Sequence, residues 1–592
     1  MSRILPITLI SVFFATIVFA QTPFQEQKRD YIWLTGYSSN GNPNSIVGGT
    51  LMDFNQQPAT FEYQYRELDF DITNASLCDA EGNLLVYTNG QEVVSREHEI
   101  MENGDSLVVT IFNIPWEGEG LNLQQGALFL PQPQNEQLIY LFHEEKEWAA
   151  PDDTSSSIST RIFQLYLTII DVEANNGLGK VTEKRIPIVA DTMGIGKITS
   201  VRHANGRDWW IIIGEFDSSR FYRFLLTPEG LMPYEPLIIG DTSLSGVGQA
   251  VFAPNGEWYA RINSRSIPEG QFLDIFRFDR CAGEFYDPIQ VTYNDTAYAT
   301  GVAISPNSRY LYVPSFKYVY QLDLWADDIG ASKELIAVWD GFLSQFDLAT
   351  TFFLAQLAPD GKIYINANNT VEYLHVIHNP NAAHPECNLE QHGQQLPTLN
   401  AFSIPNNPYW RLGPLDGSPC DTLGIDNHPK ADFRYLTEDL SLDFYDYSLF
   451  DPQEWFWTFG DGQSSTEQNP QHTYTQSGIY EVCLTVSNDN ASDTHCEEIN
   501  LLIDEVTTLQ PGNYLNLFPN PARDWIYLQL QLPQGGTFQW QLYDALGHQV
   551  RALELTAGQL QQVLLEDLPP GLYYWTLSQN RQQLQSGKVV VE

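Results

Sequence analysis

Basic residues are scarce in this chain: 30 lysines and arginines stand against 74 aspartates and glutamates, a formal net charge of −44. The field around such a chain repels phosphate backbones and anionic lipid, so nucleic acid is not an expected partner. Six cysteines in 592 residues are too few for a disulfide framework, and none sits in a CxxC pair, which argues against structural zinc. Beyond the first twenty residues no window approaches the roughly 20 apolar residues of a membrane-crossing helix. Catalytic signatures are missing as well. There is no G-x-S-x-G elbow, no HExxH (HEEKEW at 143–148 has a single histidine) and no EF-hand spacing. No catalytic residue, metal site or cofactor is assigned, and the acidic composition leaves room only for weak Ca2+ binding.

What is present begins with a leader. Arg3 precedes an apolar run from Ile4 to Phe19, and Ala20 precedes Gln21, the pattern of a secretory signal peptide cut after Ala20. The remaining length calls for at least three domains, and 43% hydrophobic with 13% aromatic residues marks a folded chain rather than a disordered one. Export makes disulfides plausible. In YEVCLTVSNDNASDTHCEEINLL, Cys483 and Cys496 flank Asp489-Asn490 symmetrically, so a hairpin sets them opposite each other as a surface cross-strand bridge. Cys387 and Cys420 are a second candidate pair, on location alone.

From residue 30 to 413 one unit recurs: a β-rich run, a short polar turn, then an aromatic or branched strand. It appears in CDAEGNLLVYTNG, LPQPQNEQLIYLFH, RHANGRDWWIII, FAPNGEWYARI, ISPNSRYLYVPS and LAPDGKIYINAN, with turns near 82, 135, 206, 256, 308 and 361. A period near 50 residues without helical patterning describes repeated four-stranded sheets around an axis, a β-propeller. Six turns are clear. Residues 371–413 would supply a seventh blade, closed by the strand at 30–37, so six or seven blades are expected.

RHANGRDWW, residues 202–210, gathers Arg202, His203, Arg207, Asp208, Trp209 and Trp210 around Asn205-Gly206. Its first reading is a hairpin turn, because Asn and Gly accept the positive φ of tight turns. One tryptophan would then pack between blades while the other faces solvent. Because the other repeats share no His or Arg before the turn, these six residues remain ligand-binding candidates at the axial mouth. Scattered histidines (His98, His143, His203, His375, His378, His392) could also converge on that axis.

After a polar linker at 414–430, residues 431–503 carry WFWTFGDGQSSTEQNPQHTYTQSGIYEVCLTV. Trp457, Phe459, Gly460, Asp461, Gly462, His472, Tyr474, Gly478 and Tyr480 resemble the signature of the PKD domain family. That resemblance implies an immunoglobulin-like β-sandwich serving as an extracellular spacer or interaction module, with Asp461 shaping its turn. A linker at 504–513 follows. Residues 514–592 then resemble the type A C-terminal sorting domain of the type IX secretion system of Bacteroidetes: Pro519, Asn520, Pro521 and Asp524 open the pattern, Asp544 and Gly547 lie at its centre, Gly571 and Tyr573 form its third element and Lys588 its end. His548 stands where that family usually has Lys. This resemblance implies passage across the outer membrane by the type IX machinery, then release or attachment to the surface. The repeats, for their part, resemble the WD40-like propellers of secreted Bacteroidetes proteins that combine these modules.

The fold class read from the sequence is therefore all-β: a six- or seven-bladed propeller, an immunoglobulin-like sandwich and a small C-terminal sandwich. The expected function is a secreted or surface binding and scaffold protein with a glycan or an extracellular protein as partner. The alternative is a propeller-based polysaccharide hydrolase or lyase using axial carboxylates.

Overall fold

A computed structural model describes residues 22–42, 45–70, 72–108, 120–149, 160–265, 270–400, 402–438, 440–501, 515–518, 522–523, 525–530, 537–544, 548–556, 560–565, 568–579 and 582–591. The expected leader and the Ser/Thr-rich stretch 152–159 lie outside them. Two compact units divide the chain, 1–500 and 501–592.

Seven antiparallel sheets succeed one another along residues 32–400. Blade 1 holds strands Ile32–Gly36, Gly49–Asp53 and Thr60–Gln64; blade 2 holds Ala75–Cys78, Leu84–Thr88 and Val93–Ser95. Blades 3 to 7 have four strands each, and their first strands are Ala127–Gln132, Thr199–Arg202, Ala250–Phe252, Ala303–Ile304 and Phe352–Leu357. The strands form because branched and aromatic residues fill them, and both faces of each sheet are buried against a neighbour. Apolar clusters join blades 1 and 2 (Leu34 with Tyr87), blades 2 to 4 (Val86, Leu141, Ile211), 4 and 5 (Phe221, Tyr259), 5 and 6 (Ile262, Leu311), 6 and 7 (Tyr312, Ile365), and finally 7 and 1 (Tyr364, Trp33). That circuit closes on itself. The fold is a seven-bladed propeller.

All six sequence-read turns join the first two strands of blades 2 to 7. Blade 1 has no such turn because its inner position is filled from the far end of the repeats. Residues 402–411 run antiparallel beside Ile32–Gly36: the Gly36 N–H donates to Asn400 Oδ1 at 3.3 Å, Ile404 packs against Trp33, and Arg411 reaches Asp30 at 2.7 Å. The expectation for 371–413 is corrected accordingly. Val371–Ile377 and Leu389–Asn400 are the outer strands of blade 7, while the chain ends meet in blade 1.

Neutral amides close the axis. Gln125 Nε2 donates to Ala250 O at 2.9 Å and to Asn406 Oδ1 at 3.0 Å, and Asn406 Nδ2 donates to Ala127 O and Ile198 O at 2.9 and 3.0 Å. Gln249 accepts from the N–H groups of Val302 and Ala355 and donates to Ala355 O. Six inner segments are stitched by three side chains, each satisfying backbone groups that water cannot reach.

The same unit continues into a sandwich of two sheets, one from Phe433–Glu438, Ser441–Asp446 and Gln471–Thr473, the other from Ser464–Ser465, Glu454–Thr458, Ile479–Ser487 and Ser492–Asn500. Trp457, Val482, Leu484 and Val486 are its buried face, and Cys483 bonds Cys496 directly across the strands. The other bridge joins Cys281 to Cys420, leaving Cys387 a buried thiol. The candidate pair Cys387–Cys420 is thereby corrected, since blade 7 buries Cys387 among Tyr312 and Ile363. The second unit is a smaller sandwich whose core includes Ile526, Trp540, Leu542, Tyr573, Trp575 and Val589.

Candidate functional site

RHANGRDWW forms the inner hairpin of blade 4, on the face of the ring where residues 410–427 cross. Gly206, at φ 74°, supplies the turn and lies against Pro414, where a Cβ would meet the proline ring at 2.9 Å. Asn205 Oδ1 accepts the N–H groups of Arg207 and Asp208 at 3.0 Å, while Asn205 Nδ2 and the Arg207 guanidinium both donate to Asp208. His203 accepts the Asn205 N–H on Nδ1 at 3.0 Å, which leaves Nε2 to donate to Cys281 O at 3.2 Å. Burial lowers its basicity.

Arg202 stacks on Trp209, its Cζ 4.3 Å from the ring, and bonds Gly206 O, Trp410 O and Gln27. Burial pushes its guanidinium down to about 9. Trp209 meets Trp410 edge-on at 4.9 Å, and Trp210 donates Nε1 to Arg280 O at 2.8 Å. Both tryptophans are buried, at 2% and 1% exposure. The expectation that one faces solvent is corrected: a blade's second strand is covered by neighbouring blades on both faces. The hairpin meets the crossing chain through Arg202, Gly206 and Trp209, while His203 and Trp210 bond the backbone of Cys281 and Arg280.

That crossing builds a cleft. Leu415 N–H donates to Ala204 O at 2.8 Å, Cys420 is tied to Cys281, and the sandwich reaches the ring where Asn381 Nδ2 donates to Asp446 O at 3.3 Å, Tyr447 donates to Asn379 at 3.2 Å and Lys430 pairs with Glu26 at 2.6 Å. Between ring and sandwich lies a cavity of about 390 Å³ lined by Arg280, Trp325, Tyr409, Arg411, Asp446 and Trp455 among others, within the size range of ligand sites. Trp325 is 55% exposed. Arg280 is held by the carbonyls of Arg202, His203 and Gly413, so RHANGRDWW supports the wall of this cleft. Asp446 accepts from Trp455 Nε1 at 2.8 Å and Gln468 at 3.0 Å, and burial raises its carboxyl. By contrast, the cavity at the axis measures about 40 Å³, room for roughly three waters.

The histidines do not converge on the axis. His143 lies inside blade 3 and His375 inside blade 7, each pushed down to about 3 by burial, whereas His378 and His392 pair with Glu390 and Asp340 at 2.8 Å. His98 bonds Gln64 and Tyr87. Sequence reasoning missed a different set. Glu144 is fully buried, and burial pushes it up to about 8 against the opposing pull of Lys197 and the Gly196 N–H. Lys197, pushed down to about 7 by burial and then by Arg261, donates to Ile195 O and Gly246 O. Arg261 in turn pairs with Asp274 at 2.9 Å. These residues come from three blades, and no spacing in the chain connects them.

In the sandwich, Asp461 shapes the turn: it accepts the Gln463 N–H and His472 Nε2 at 2.9 Å, with Gly460 and Gly462 at φ 77° and 92°. Phe459 stacks on His472 at 4.0 Å, Tyr474 donates to Phe459 O and packs on Tyr480, Trp457 donates to Glu467 O, and Gly478 lies against the Tyr480 ring. In the second unit Asp544 and His548 bond one another at 3.1 Å, Tyr573 donates to Pro569 O, Gly571 opens a strand, and Lys588 lies 5.8 Å from the Tyr574 ring centroid. Pro519, Asn520, Pro521, Asp524 and Gly547 lie outside the described residues.

Two family models match this chain, the PKD domain over residues 437–503 and the secretion system C-terminal sorting domain over 516–592. The pre-pro-metalloprotease PrtV of Vibrio cholerae is 41% identical over 64 residues, 11% of this chain and 7% of the protease. A crystal structure of that protease's PKD1 domain is 38% identical, covering 12% of this chain and 96% of that domain, with a TM-score of 0.12. A structure of a Lactobacillus plantarum protein covers 63% of this chain and 98% of its own at 12% identity, with a TM-score of 0.38. The chain thus spans less than a tenth of the curated relative. Its C-terminal sorting domain addresses it for secretion, and among the described residues no helix is long and apolar enough to cross a membrane.

Proposed function

We propose that this is a binding and scaffold protein, exported by the type IX secretion system of a Bacteroidetes cell after removal of a leader at Ala20, then released or held at the outer surface. Its WD40-like propeller and PKD module together present a cleft for a glycan or an extracellular protein. The observation that carries this reading is the cleft of about 390 Å³. Exposed Trp325 and half-buried Trp455 offer flat apolar faces for sugar rings or aromatic side chains, in a lining that also holds Arg280 and Asp446. A rigid floor supports it, since Arg280 is anchored by three backbone carbonyls.

The second reading, a polysaccharide hydrolase or lyase, draws on Glu144 and Lys197, a buried acid and base whose proton affinities are displaced toward neutrality. Against it stand the neutral amides at the axis and the absence of solvent access to Glu144.

One experiment separates the two. The secreted chain is incubated with soluble and insoluble polysaccharides and cell-envelope proteins, scoring both depletion of protein and release of reducing sugar. Depletion without sugar, weakened roughly tenfold in Trp325→Ala, is the expected result. Sugar release that disappears in Glu144→Gln would replace this reading with the enzymatic one.

A further inference from the structure

The strap between ring and sandwich gathers three carboxylates at five-residue intervals, Asp416, Asp421 and Asp426. One oxygen of each lies within 4.8 Å of the others. Two oxygens that share a cation at about 2.4 Å can be at most about 4.8 Å apart, so the spacing is that of ligands to a common ion.

A second observation points the same way. Asp426 is 6% exposed, and its Oδ2 has no hydrogen-bond partner; Asp416 Oδ1 is buried and equally without one. The accounted oxygens are Asp416 Oδ2, which accepts the Asn427 N–H at 3.0 Å and Asn490 Nδ2 at 2.8 Å, and Asp421 Oδ2, which accepts the Gly417 N–H at 3.0 Å. Buried carboxylate oxygens without donors are costly unless a cation completes them.

We infer that residues 416–426 bind a calcium ion, which fastens the strap that joins ring and sandwich. The donors are all carboxylate oxygens with no nitrogen or sulfur, which selects a hard cation, and three carboxylates from one irregular loop suit Ca2+ better than the strict octahedron of Mg2+. Water can fill the remaining coordination positions. The strap is tied at both sides of the site: Leu415 bonds blade 4, and Asn488 and Asn490, at the tip of a sandwich hairpin, donate to Asn427 O at 3.0 and 3.2 Å. All three ligands precede residue 437, where the PKD match begins, so the site belongs to the junction.

The test uses the full secreted chain stripped with EGTA. Calorimetric titration with CaCl2 is expected to show a saturable site with Kd about 10⁻⁴–10⁻³ M, as in other extracellular modules, and weaker binding of MgCl2. Cleavage by a protease within 414–430 is expected to slow in Ca2+. Asp426→Asn and the less buried Asp421→Asn, chosen because it leaves the core untouched, should each weaken Ca2+ binding roughly tenfold and remove the protection. No saturable Ca2+ binding by the parent chain, or unchanged affinity and protection in a folded Asp421→Asn, would overturn the site. Equal affinity for Mg2+ would overturn the calcium assignment.

Discussion

Acid should weaken the ring through one buried histidine, and the size of the effect follows from its surroundings. His143 is fully buried in blade 3, stacked on Tyr166, with Nε2 bonded to Thr168 Oγ1 at 3.0 Å and Nδ1 without a partner. Burial first, and Arg185 second, push it down from 6.5 to about 3. Because the folded value is depressed, the linked stability is fully present above pH 6.5 and is lost as pH falls from 6.5 toward 3, where the unfolded chain takes up a proton that the folded ring refuses. At pH 5 that loss is about 2 kcal/mol, a sizeable share of the 5–15 kcal/mol typical of a domain. His143→Gln keeps a polar partner for Thr168 and cannot titrate. Urea unfolding followed by tryptophan fluorescence at pH 7.5, 6 and 5 should show the variant less stable at pH 7.5, with the gap closing by about 2 kcal/mol at pH 5. A gap of constant size across that range would refute the reasoning, because it would mean that the imidazole is not held neutral.

Two other perturbations test the junction. Asp30 and Arg411 form a bidentate pair, 2% and 5% exposed, that ties the N-terminal strand to the segment completing blade 1; Asp30→Asn strands a buried guanidinium and should cost about 3–5 kcal/mol, read as a lower denaturation midpoint, while an unchanged midpoint would show that the pair does not hold the closure. His203→Ala removes the bonds to Cys281 O and the Asn205 N–H and should destabilise by about 1–3 kcal/mol without altering ligand capture by the folded protein; complete loss of capture in a folded variant would make that histidine part of the site itself.

How far the sequence could be read depended on distance along the chain. Turn dipeptides such as Asn255-Gly256 and Asp360-Gly361 announce six inner hairpins because turn chemistry is local. Blade 1 escaped that signal, since its inner position is filled by residues about 370 positions away from its own strands. The Cys483–Cys496 bridge was legible from a symmetric hairpin, whereas Cys281–Cys420 spans 139 residues and nothing between its ends betrays it. RHANGRDWW was rightly read as a turn, but what covers it is a segment 200 residues downstream. The charged set of Glu144, Lys197 and Arg261 and the axial amides Gln125, Gln249 and Asn406 come from separate blades. Each is unremarkable in its own repeat, and only closure of the ring gives them company.

The meeting of both chain ends in blade 1 also sets a timetable for biogenesis. Synthesis runs from the N-terminus, so strands Ile32–Gly36, Gly49–Asp53 and Thr60–Gln64 emerge early and wait for residues 402–411 before their inner edge is covered. Until then the nascent protein is an open crescent with an unfilled edge, the kind of surface on which chaperones act and aggregation begins. Loss of the C-terminal domain at 516–592 removes none of the residues that close the ring, whereas a nonsense mutation anywhere before residue 411 leaves the crescent permanently open.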